Sequence, residues 1–248
     1  MIPIKNSNAI EKMRAVNALV AQTQKLISQH IKVGITTKEL DAIAERFILE
    51  QGAKPNFKGY GNFPNTTCIS VNDTVIHGVP SDYKLKDGDI VSVDLGAELD
   101  GFHGDMARTY AVGQITEEAR RLIEVTKECF YKALEQTKEG SRVGDISHAV
   151  QTHAEKHGYS VVKTYTGHGI GKKLHEDPSI PNFGNLSTGT KLKAGMTLAI
   201  EPMVNLGKSE VKVDKDGFSV KTLDGKISAH YENTVLVTKG EPEILSRC

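Results

Sequence analysis

Apolar and polar residues alternate with a helical period near the start of the chain. Between residues 10 and 27 the apolar positions recur at intervals of three, four and seven, which places them on one face of a helix. These positions are Ile10, Met13, Val16, Val20 and Ile27. Asn8 and Glu11 form a capping-box pattern, so the sequence predicts a long amphipathic helix that begins near Asn8.

A second helix is predicted directly after the first. Thr36 and Glu39 have the spacing of a capping box, and Gly52 is a residue type that commonly ends helices. The apolar positions between them form one face. They are Leu40, Ile43, Ala44, Phe47 and Ile48.

Further along, short β-branched runs bounded by Asn, Asp and Gly replace the helical period. Cys68–Val71 and Asp89–Val93 are the clearest of these runs and predict strands. Helical spacing returns after Thr116 and again around 146–150, and strand-like segments follow Tyr159. The order of two helices followed by strands is therefore predicted to occur twice.

The two predicted halves also agree in their spacing. Gly34 and Gly52 enclose one helix, Gly140 and Gly158 enclose another, and the two pairs are 106 positions apart. Such self-similarity is the sequence signature of a duplicated structural unit.

A second match supports the duplication. The segment Lys84–Gly88 is similar to Lys191–Gly195, which lies 107 positions later. The apolar runs that follow these segments end in Asp94 and Glu201, which are again 107 positions apart. A nearly constant offset across helix, turn and strand predicts duplication of one unit of about 105 residues, and therefore pseudo-twofold symmetry.

Composition agrees with one folded domain. Of the 248 residues, 38% are hydrophobic and 25% are charged, which is typical of a globular protein and argues against disorder. We predict a single domain over residues 1–248, with halves at roughly 1–112 and 113–248. The 31 basic and 31 acidic residues leave no net charge, so strong attraction to nucleic acid or to an anionic membrane is not expected.

Two features favour the cytoplasm. The sequence contains neither a signal-peptide pattern nor an apolar run of membrane-spanning length. Its three cysteines, Cys68, Cys129 and Cys248, lack the spacing of a disulfide framework or a zinc site. A reducing compartment is therefore expected.

Two aspartates are predicted to share one face of a hairpin. Asp100-Gly101 is a preferred two-residue turn, and the register that it sets places Asp105 opposite Gly96. Because side chains alternate along a strand, Asp94 and Gly96 point to the same face, so the two carboxylates become diagonal neighbours. Such a pair repels unless a cation lies between the two groups. A solvated strand face is an equally open interpretation of the pair alone.

The duplication adds further acidic residues to this prediction. Glu201 occupies in the second half the place of Asp94 in the first, and a pseudo-twofold axis would bring both to one centre. Glu232 lies in the predicted strand Ala229–Val237, reached through a second hairpin at Asp224-Gly225. Taken alone, Glu232 could also be a charge that protects an edge strand from aggregation.

His168 is notable among the nine histidines because glycines flank it in Gly167–Gly171. Small neighbours allow backbone or ligand to approach closely, although a histidine satisfied inside a turn is the alternative. The cluster does not fit a phosphate loop or a dinucleotide fingerprint. The sequence also lacks the Gly-x-Ser-x-Gly motif of serine hydrolases.

Together these residues give the chain a resemblance to a known family. Over nearly its whole length it resembles the type I methionine aminopeptidases, with the motifs Gly167–Gly171 and Ile200-Glu201-Pro202. The matching residues are His77, Asp94, Asp105, His168, His175, Glu201 and Glu232. The resemblance implies an α+β fold of the pita-bread type, in which two related halves form a curved antiparallel sheet backed by helices.

The same resemblance implies a centre of two divalent metal ions, which would be Co, Mn, Fe or Zn. Asp105 and Glu232 would bridge the ions, Asp94 would hold one ion, and His168 and Glu201 would hold the other. Such ions lower the pKa of a bridging water that attacks the first peptide carbonyl. Glu201 is also implied as the proton shuttle.

Two further histidines receive roles from the resemblance. His175 would donate to the carbonyl oxygen as it becomes an oxyanion, and His77 would contact the nitrogen side of the scissile bond. The family also implies an apolar pocket for the initiator methionine. The matching positions are Phe57, Tyr60, Phe63, Cys68, Leu174 and Phe218.

The pocket departs from the family pattern at two positions. Many relatives have tryptophan in place of Phe218 and phenylalanine in place of Leu174, so the pocket is expected to differ in shape. The resemblance implies removal of the initiator methionine from nascent polypeptides whose second residue is small. We expect a cytoplasmic monomer that makes at most transient ribosome contact and reads no nucleic-acid sequence.

Three other classes of protein fit the sequence less well than this interpretation does. Prolidases and aminopeptidases P usually carry an extra N-terminal domain, whereas this chain begins almost directly with the predicted catalytic unit. Type II methionine enzymes carry an insertion between the two glutamates, which the 31-residue step from Glu201 to Glu232 leaves no room for. A non-catalytic binding protein with the same fold would be expected to have lost ligands, and all five are present.

Overall fold

The computed structural model describes residues 2–247. Over these residues, two helices are followed by a series of strands, and this order occurs twice. The strand pairs within this range are antiparallel. The predicted α+β class and the repeated order are therefore confirmed.

Four helices of the described range carry the predicted apolar faces. In chain order they are α1 (Ser7–Ser28), α2 (Thr37–Glu50), α3 (Glu117–Gln136) and α4 (Val143–Lys156). The capping box of Thr36 and Glu39 is present at the start of α2. At α1 the predicted cap was wrong, because Asn6 and not Asn8 accepts the Ala9 backbone N–H.

The strands are short except for one central pair. In the first half they are β1 (Lys54–Pro55), β2 (Thr67–Val71), β3 (Thr74–Ile76), β4 (Ile90–Leu99) and β5 (Phe102–Ala111). In the second half they are β6 (Ser160–Val161), β7 (Thr166–Gly169), β8 (Glu176–Pro181), β9 (Thr197–Ile200), β10 (Met203–Asn205), β11 (Val211–Val213), β12 (Val220–Thr222), β13 (Ser228–His230), β14 (Asn233–Leu236) and β15 (Glu243–Ile244). A single turn of 3₁₀-helix covers Tyr60–Asn62.

The hairpin of β4 and β5 has the predicted register. Gly96 pairs with Asp105, and the pairing continues to the turn at Asp100 and Gly101. These two turn residues have φ values of 52° and 74°, as a type I′ turn requires. Asp94 and Asp105 consequently lie diagonally on one face of the hairpin.

Equivalent backbone contacts recur in the two halves. The Gly34 N–H donates to the Leu85 carbonyl at 2.8 Å, and the Gly140 N–H donates to the Leu192 carbonyl at 3.1 Å. The offsets in these pairs are 106 and 107, as in the sequence. Isolated bridges repeat the correspondence and join Thr36 to Lys84 and Arg142 to Lys191. The internal duplication is therefore visible in the backbone, whereas the division of the chain near residue 112 stays a prediction.

The two largest hydrophobic cores lie mainly in different halves, although each also includes residues of the other half. In the first half, α1 packs on β4 and β5, and α2 packs beside it, with Met13 and Leu40 fully buried. In the second half, α3 and α4 pack on each other and on β6, β8 and β13, with Phe130 and Ile146 fully buried. The halves meet in several places, including the pairing of β12 with β3, and the junction where β14 contacts β5 carries the candidate site.

The hairpin predicted at Asp224-Gly225 is wrong. β12 pairs with β11 and β3, whereas β13 pairs with β10, so the strands on the two sides of this turn belong to different sheets. The Asp224 carboxylate instead accepts the backbone N–H groups of Lys208 and Lys226. This side-chain capping holds a loop and not a paired turn.

The predicted strand Ala229–Val237 is interrupted within its length. β13 ends at His230 and β14 begins at Asn233. Between them, the Glu232 N–H donates to the Ala107 carbonyl of β5 at 2.9 Å. Glu232 is only 2% exposed, so the alternative of an edge-strand surface charge is wrong.

Two predictions about the chain as a whole can be compared with the structure. Within residues 2–247, no helix combines the length and the apolar character that crossing a membrane requires. Cys68 and Cys129 are buried as free thiols, in agreement with the prediction that no disulfide framework is present in this range. Cys248 lies outside the described residues.

Candidate metal centre

Five predicted ligands from both halves meet at one place, and we call them the ligand cluster. Two lie on the β4–β5 hairpin, one lies on β7, one follows β9 and one lies between β13 and β14. The five residues are Asp94, Asp105, His168, Glu201 and Glu232. The convergence predicted from the duplication is therefore present in the structure.

Distances within the ligand cluster suit a shared cation better than direct hydrogen bonds. The His168 Nε2 atom lies 3.7 Å from Glu201 Oε1 and 3.9 Å from Asp105 Oδ2, beyond hydrogen-bonding distance. One ligand atom each of Asp105, His168 and Glu232 lies within 4.8 Å of the other two. Atoms at this spacing can coordinate one ion together.

Hydrogen bonds fasten the second half to the first beside the ligand cluster. The Thr234 hydroxyl donates to the Asp105 carbonyl at 3.0 Å. The Arg108 guanidinium donates to the Glu232 carbonyl at 2.6 Å and to the Asn233 side chain at 2.8 Å. These bonds fix the backbone on both sides of the junction, so the carboxylates of the two halves are held at a defined separation.

The glycines around His168 have a steric reason. A Cβ atom at Gly167 would lie 2.5 Å from the Ala199 carbonyl oxygen and 3.4 Å from Glu201 Cγ. At Gly169 a Cβ atom would lie 2.2 Å from the Asp177 carbonyl oxygen. The glycines therefore let β7 approach its neighbours closely enough to bring His168 beside Glu201.

The electrostatics of the ligand cluster show four acids in a confined space. Burial raises the pKa of Asp94 to about 7. Burial, and then the charges of neighbouring carboxylates, raise the pKa values of Asp105, Glu201 and Glu232 well above their ordinary range. Burial lowers the pKa of His168 to about 3, so this imidazole is neutral at pH 7 and has a lone pair to donate.

Two buried carboxylate oxygens without hydrogen-bond partners also indicate that a metal ion fits the ligand cluster. The buried oxygens Asp94 Oδ1 and Glu232 Oε1 have no hydrogen-bond partner. Leaving such groups unpaired is costly, and acids crowded together need a compensating charge. A divalent cation would satisfy the oxygens and the charge at once, so the residues present fit a metal centre.

An apolar cavity of about 250 Å³ lies directly on the ligand cluster. Its walls contain the six predicted pocket residues, which we call the apolar wall. They are Phe57, Tyr60, Phe63, Cys68, Leu174 and Phe218. The structure thus brings together the thirteen site residues predicted from the sequence, with Gly61 as an additional lining residue.

His77 and His175 are the two predicted site residues that belong neither to the ligand cluster nor to the apolar wall, and both line this cavity. Burial lowers the pKa of His77 to about 4, and its φ of 55° is an unusual backbone conformation for a non-glycine residue. His175 Nδ1 lies 2.8 Å from the Tyr60 hydroxyl oxygen. Its ring is tilted by 50° against that of His168, with centroids 4.2 Å apart.

Sequence reasoning missed one histidine beside the ligand cluster. His230 is buried, and its unpartnered Nε2 atom lies 3.6 Å from Glu201 Oε2 and 4.0 Å from Glu232 Oε2. Burial lowers the pKa of His230 to about 3. The spacing of two residues from Glu232 contained a signal for it, because alternate residues of an extended chain face the same side.

Comparison with known proteins agrees with this site. The model of metallopeptidase family M24 matches residues 11–239. A methionine aminopeptidase from Clostridium perfringens is 54% identical over 246 residues, which cover 99% of each chain. The crystal structure of methionine aminopeptidase from Rickettsia prowazekii superposes with a TM-score of 0.98 at 43% identity and covers all of both chains.

A more distant structure shares the fold over part of its length. The prolidase from Pyrococcus horikoshii OT3 superposes with a TM-score of 0.81 at 25% identity. It is matched over 98% of this chain but only 63% of the prolidase. The pita-bread fold expected from the sequence is therefore confirmed, and membership of a metallopeptidase family implies that the chain binds divalent metal. The chain belongs to metallopeptidase family M24.

Proposed function

We propose that this chain removes the N-terminal methionine from nascent proteins and peptides whose second residue is small. The observation that carries the proposal is a cavity of about 250 Å³ that joins the ligand cluster to the apolar wall. This volume lies below the range for drug-sized ligands and suits a single side chain. A neighbouring groove of about 890 Å³ shares His168 and His175 with the cavity. Its volume leaves room for the rest of a peptide.

Two divalent ions would be held by the ligand cluster. When ionised, its four carboxylates carry four negative charges, which two divalent ions would neutralise. Four oxygen donors with one imidazole suit Mn, Fe, Co or Zn. When bound, such ions act as Lewis acids that polarise the peptide carbonyl and make water more acidic.

His175 would stabilise the negative charge that develops on the carbonyl oxygen. Burial lowers its pKa, so the ring is neutral and can carry its proton on either nitrogen. If the Tyr60 hydroxyl donates to Nδ1 across their 2.8 Å contact, the proton is left on Nε2. With that tautomer, Tyr60 would act as a positioning residue as well as part of the apolar wall, because it would leave Nε2–H free to donate to an oxyanion.

Glu201 and His77 would act on the protons of the reaction. Glu201 is the group that accepts a proton from the attacking water and passes it to the leaving nitrogen. Its two carboxylate oxygens face His168 and His230 at 3.7 and 3.6 Å, so its position is defined from two sides. His77 would contact the nitrogen of the scissile bond from the same cavity.

A prolidase activity is less well supported than methionine removal. The prolidase that shares this fold is 25% identical and is matched over 63% of its length, whereas the Clostridium relative is 54% identical over 99% of its length. The cavity wall is apolar and aromatic, which fits the thioether side chain of methionine. Nascent chain N-termini in the cytoplasm are accordingly the proposed substrates, and a monomer suffices because both halves of the site come from one chain.

The decisive experiment combines metal analysis with an assay on short peptides. The purified chain should bind two divalent ions and release methionine from Met-Ala-Ser and from Met-Gly peptides. Met-Lys and Met-Leu peptides should remain intact. Release that persists after complete chelation, or cleavage of X-Pro dipeptides in preference to Met-Ala-Ser, would contradict the proposal.

A further inference from the structure

A second group of metal-ligating side chains lies away from the cavity, on the paired helices α3 and α4. Glu128 of α3 and His153 and His157 at the end of α4 each place one ligand atom within 4.8 Å of the other two. We propose that these three residues, called the α3–α4 site, bind one divalent transition-metal ion such as Zn²⁺. This ion would be separate from the ions of the ligand cluster.

The backbone places the three side chains for chelation. His153 and His157 are four residues apart, a spacing that puts them on the same face of a helix. Their ring centroids are 4.6 Å apart. Glu128 projects from the neighbouring helix, and its Oε2 atom lies 2.8 Å from His153 Nε2. An ion at this place would join α3 to α4.

Outer contacts already hold two of these ligands in a suitable orientation. His157 Nδ1 lies 2.8 Å from the His153 carbonyl oxygen, so Nδ1 carries the proton and Nε2 keeps its lone pair. Glu128 Oε1 accepts a hydrogen bond from Arg121 at 3.1 Å, which leaves Oε2 to face the histidines. Hydrogen bonds of this kind orient ligands at known metal sites.

Binding requires only a change of tautomer at His153. Its Nε2–H donates to Glu128 Oε2 in the metal-free state. An ion that binds Nε2 takes the place of this proton, which moves to Nδ1. The three residues are half-buried, so solvent can complete the coordination, as at sites with three protein ligands.

The donor atoms distinguish the α3–α4 site from the ligand cluster. The α3–α4 site offers two imidazole nitrogens and one carboxylate oxygen, whereas the ligand cluster offers four carboxylates and one imidazole. Imidazole ligands suit Zn²⁺, Ni²⁺ and Cu²⁺, while carboxylate-rich sites also suit Mn²⁺. Mn²⁺ is therefore expected to load the ligand cluster alone, and Zn²⁺ is expected to load both places.

The test counts bound ions per chain by equilibrium dialysis, once with Mn²⁺ and once with Zn²⁺. The unmodified chain should bind one more Zn²⁺ than Mn²⁺. His157→Ala should remove this difference and leave hydrolysis of Met-Ala-Ser with Mn²⁺ unchanged. His148→Ala changes another half-buried histidine of α4 that lies outside the α3–α4 site, so it should keep the extra Zn²⁺.

Two further variants guard against an indirect effect of unfolding. His153→Gln keeps a side chain that can donate to Glu128 but supplies no imidazole, so it should also lose the extra ion. Glu232→Gln alters the ligand cluster and should still bind one more Zn²⁺ than Mn²⁺. This result would separate failure of this proposal from failure of the proposed function. Equal Zn²⁺ and Mn²⁺ counts in the unmodified chain, or an extra Zn²⁺ that survives in His157→Ala, would overturn the α3–α4 site.

Discussion

The ligand cluster and the apolar wall enclose the same cavity but depend on different kinds of backbone. Asp94, Asp105 and His168 lie within strands, and Glu201 and Glu232 directly adjoin β9 and β14, so paired backbone hydrogen bonds determine their position and direction. Along the apolar wall, Cys68 is in a strand, whereas Phe57, Phe63, Leu174 and Phe218 lie in turns and irregular segments. A ligand on a paired strand or directly beside one has little freedom to adjust, so we expect all-or-none effects in the ligand cluster and graded effects along the wall.

The largest effect is expected from Glu232→Gln. This substitution removes one negative charge and one potential ligand from a fully buried position. Changes to residues that only support metal ligands cost about 10- to 100-fold in affinity or activity, so loss of a ligand should cost more than about 100-fold. Metal analysis and the Met-Ala-Ser assay should both show the loss. Unchanged metal content together with unchanged turnover would remove Glu232 from the centre.

His175→Ala is expected to have a large effect of a different kind. It should keep the bound metal and lose roughly 100-fold in kcat, as for other donors to an oxyanion. Tyr60→Phe removes the hydroxyl group 2.8 Å from His175 Nδ1 and should give a smaller loss of kcat, because the ring can still reach the substrate. Metal counts separate these variants from Glu232→Gln. Full turnover by His175→Ala would exclude a role in the reaction.

Phe218→Ala tests the apolar wall and should have a moderate effect. Phe218 packs edge-on against Phe63 with ring centroids 5.5 Å apart, and the substitution removes one side of the pocket. Loss of apolar contact should raise KM for methionyl peptides by about 10-fold and leave kcat nearly unchanged. Leu223→Ala is a suitable control, because Leu223 is 58% exposed and lies outside the cavity lining. A drop in kcat as large as that of His175→Ala would show that the wall also positions the reacting groups.

The contrast between paired strands and irregular segments also explains which parts of the site could be predicted from the sequence. The Asp94–Asp105 arrangement followed from the Asp100-Gly101 turn and the alternation of side chains, because both rules act over a few residues. The convergence of Glu201 with Asp94 followed from the offset of 107 positions. Neither inference depends on the conformation of a long loop, and the β4–β5 hairpin has the predicted register.

The errors occurred where distant contacts override the local pattern. Asp224-Gly225 has the composition of a hairpin turn, but Asp224 caps the backbone at Lys208 and the flanking strands join different sheets. The interruption at Glu232 depends on a bond from its backbone N–H to Ala107, 125 positions earlier in the chain. The wall residues could be placed only through the family resemblance, since irregular segments have no period to read.

Gly101→Ala should have the smallest effect and tests why the ligand cluster is so well defined. Gly101 has a φ of 74°, which disfavours a side chain, but a Cβ atom there would meet nothing within 4 Å. The free energy of unfolding should therefore fall by only about 1 kcal/mol, as measured by denaturant titration of the metal-loaded protein. Asp100→Asn keeps a preferred type I′ pair and should change this free energy by less than about 0.5 kcal/mol.

Both variants should retain full metal content, because the ten residue pairs between β4 and β5 and their buried face hold the register without help from the turn. If Gly101→Ala lost metal, the turn itself would be what holds Asp94 and Asp105 together, and the ligand cluster would share the local sensitivity that we assign to the apolar wall.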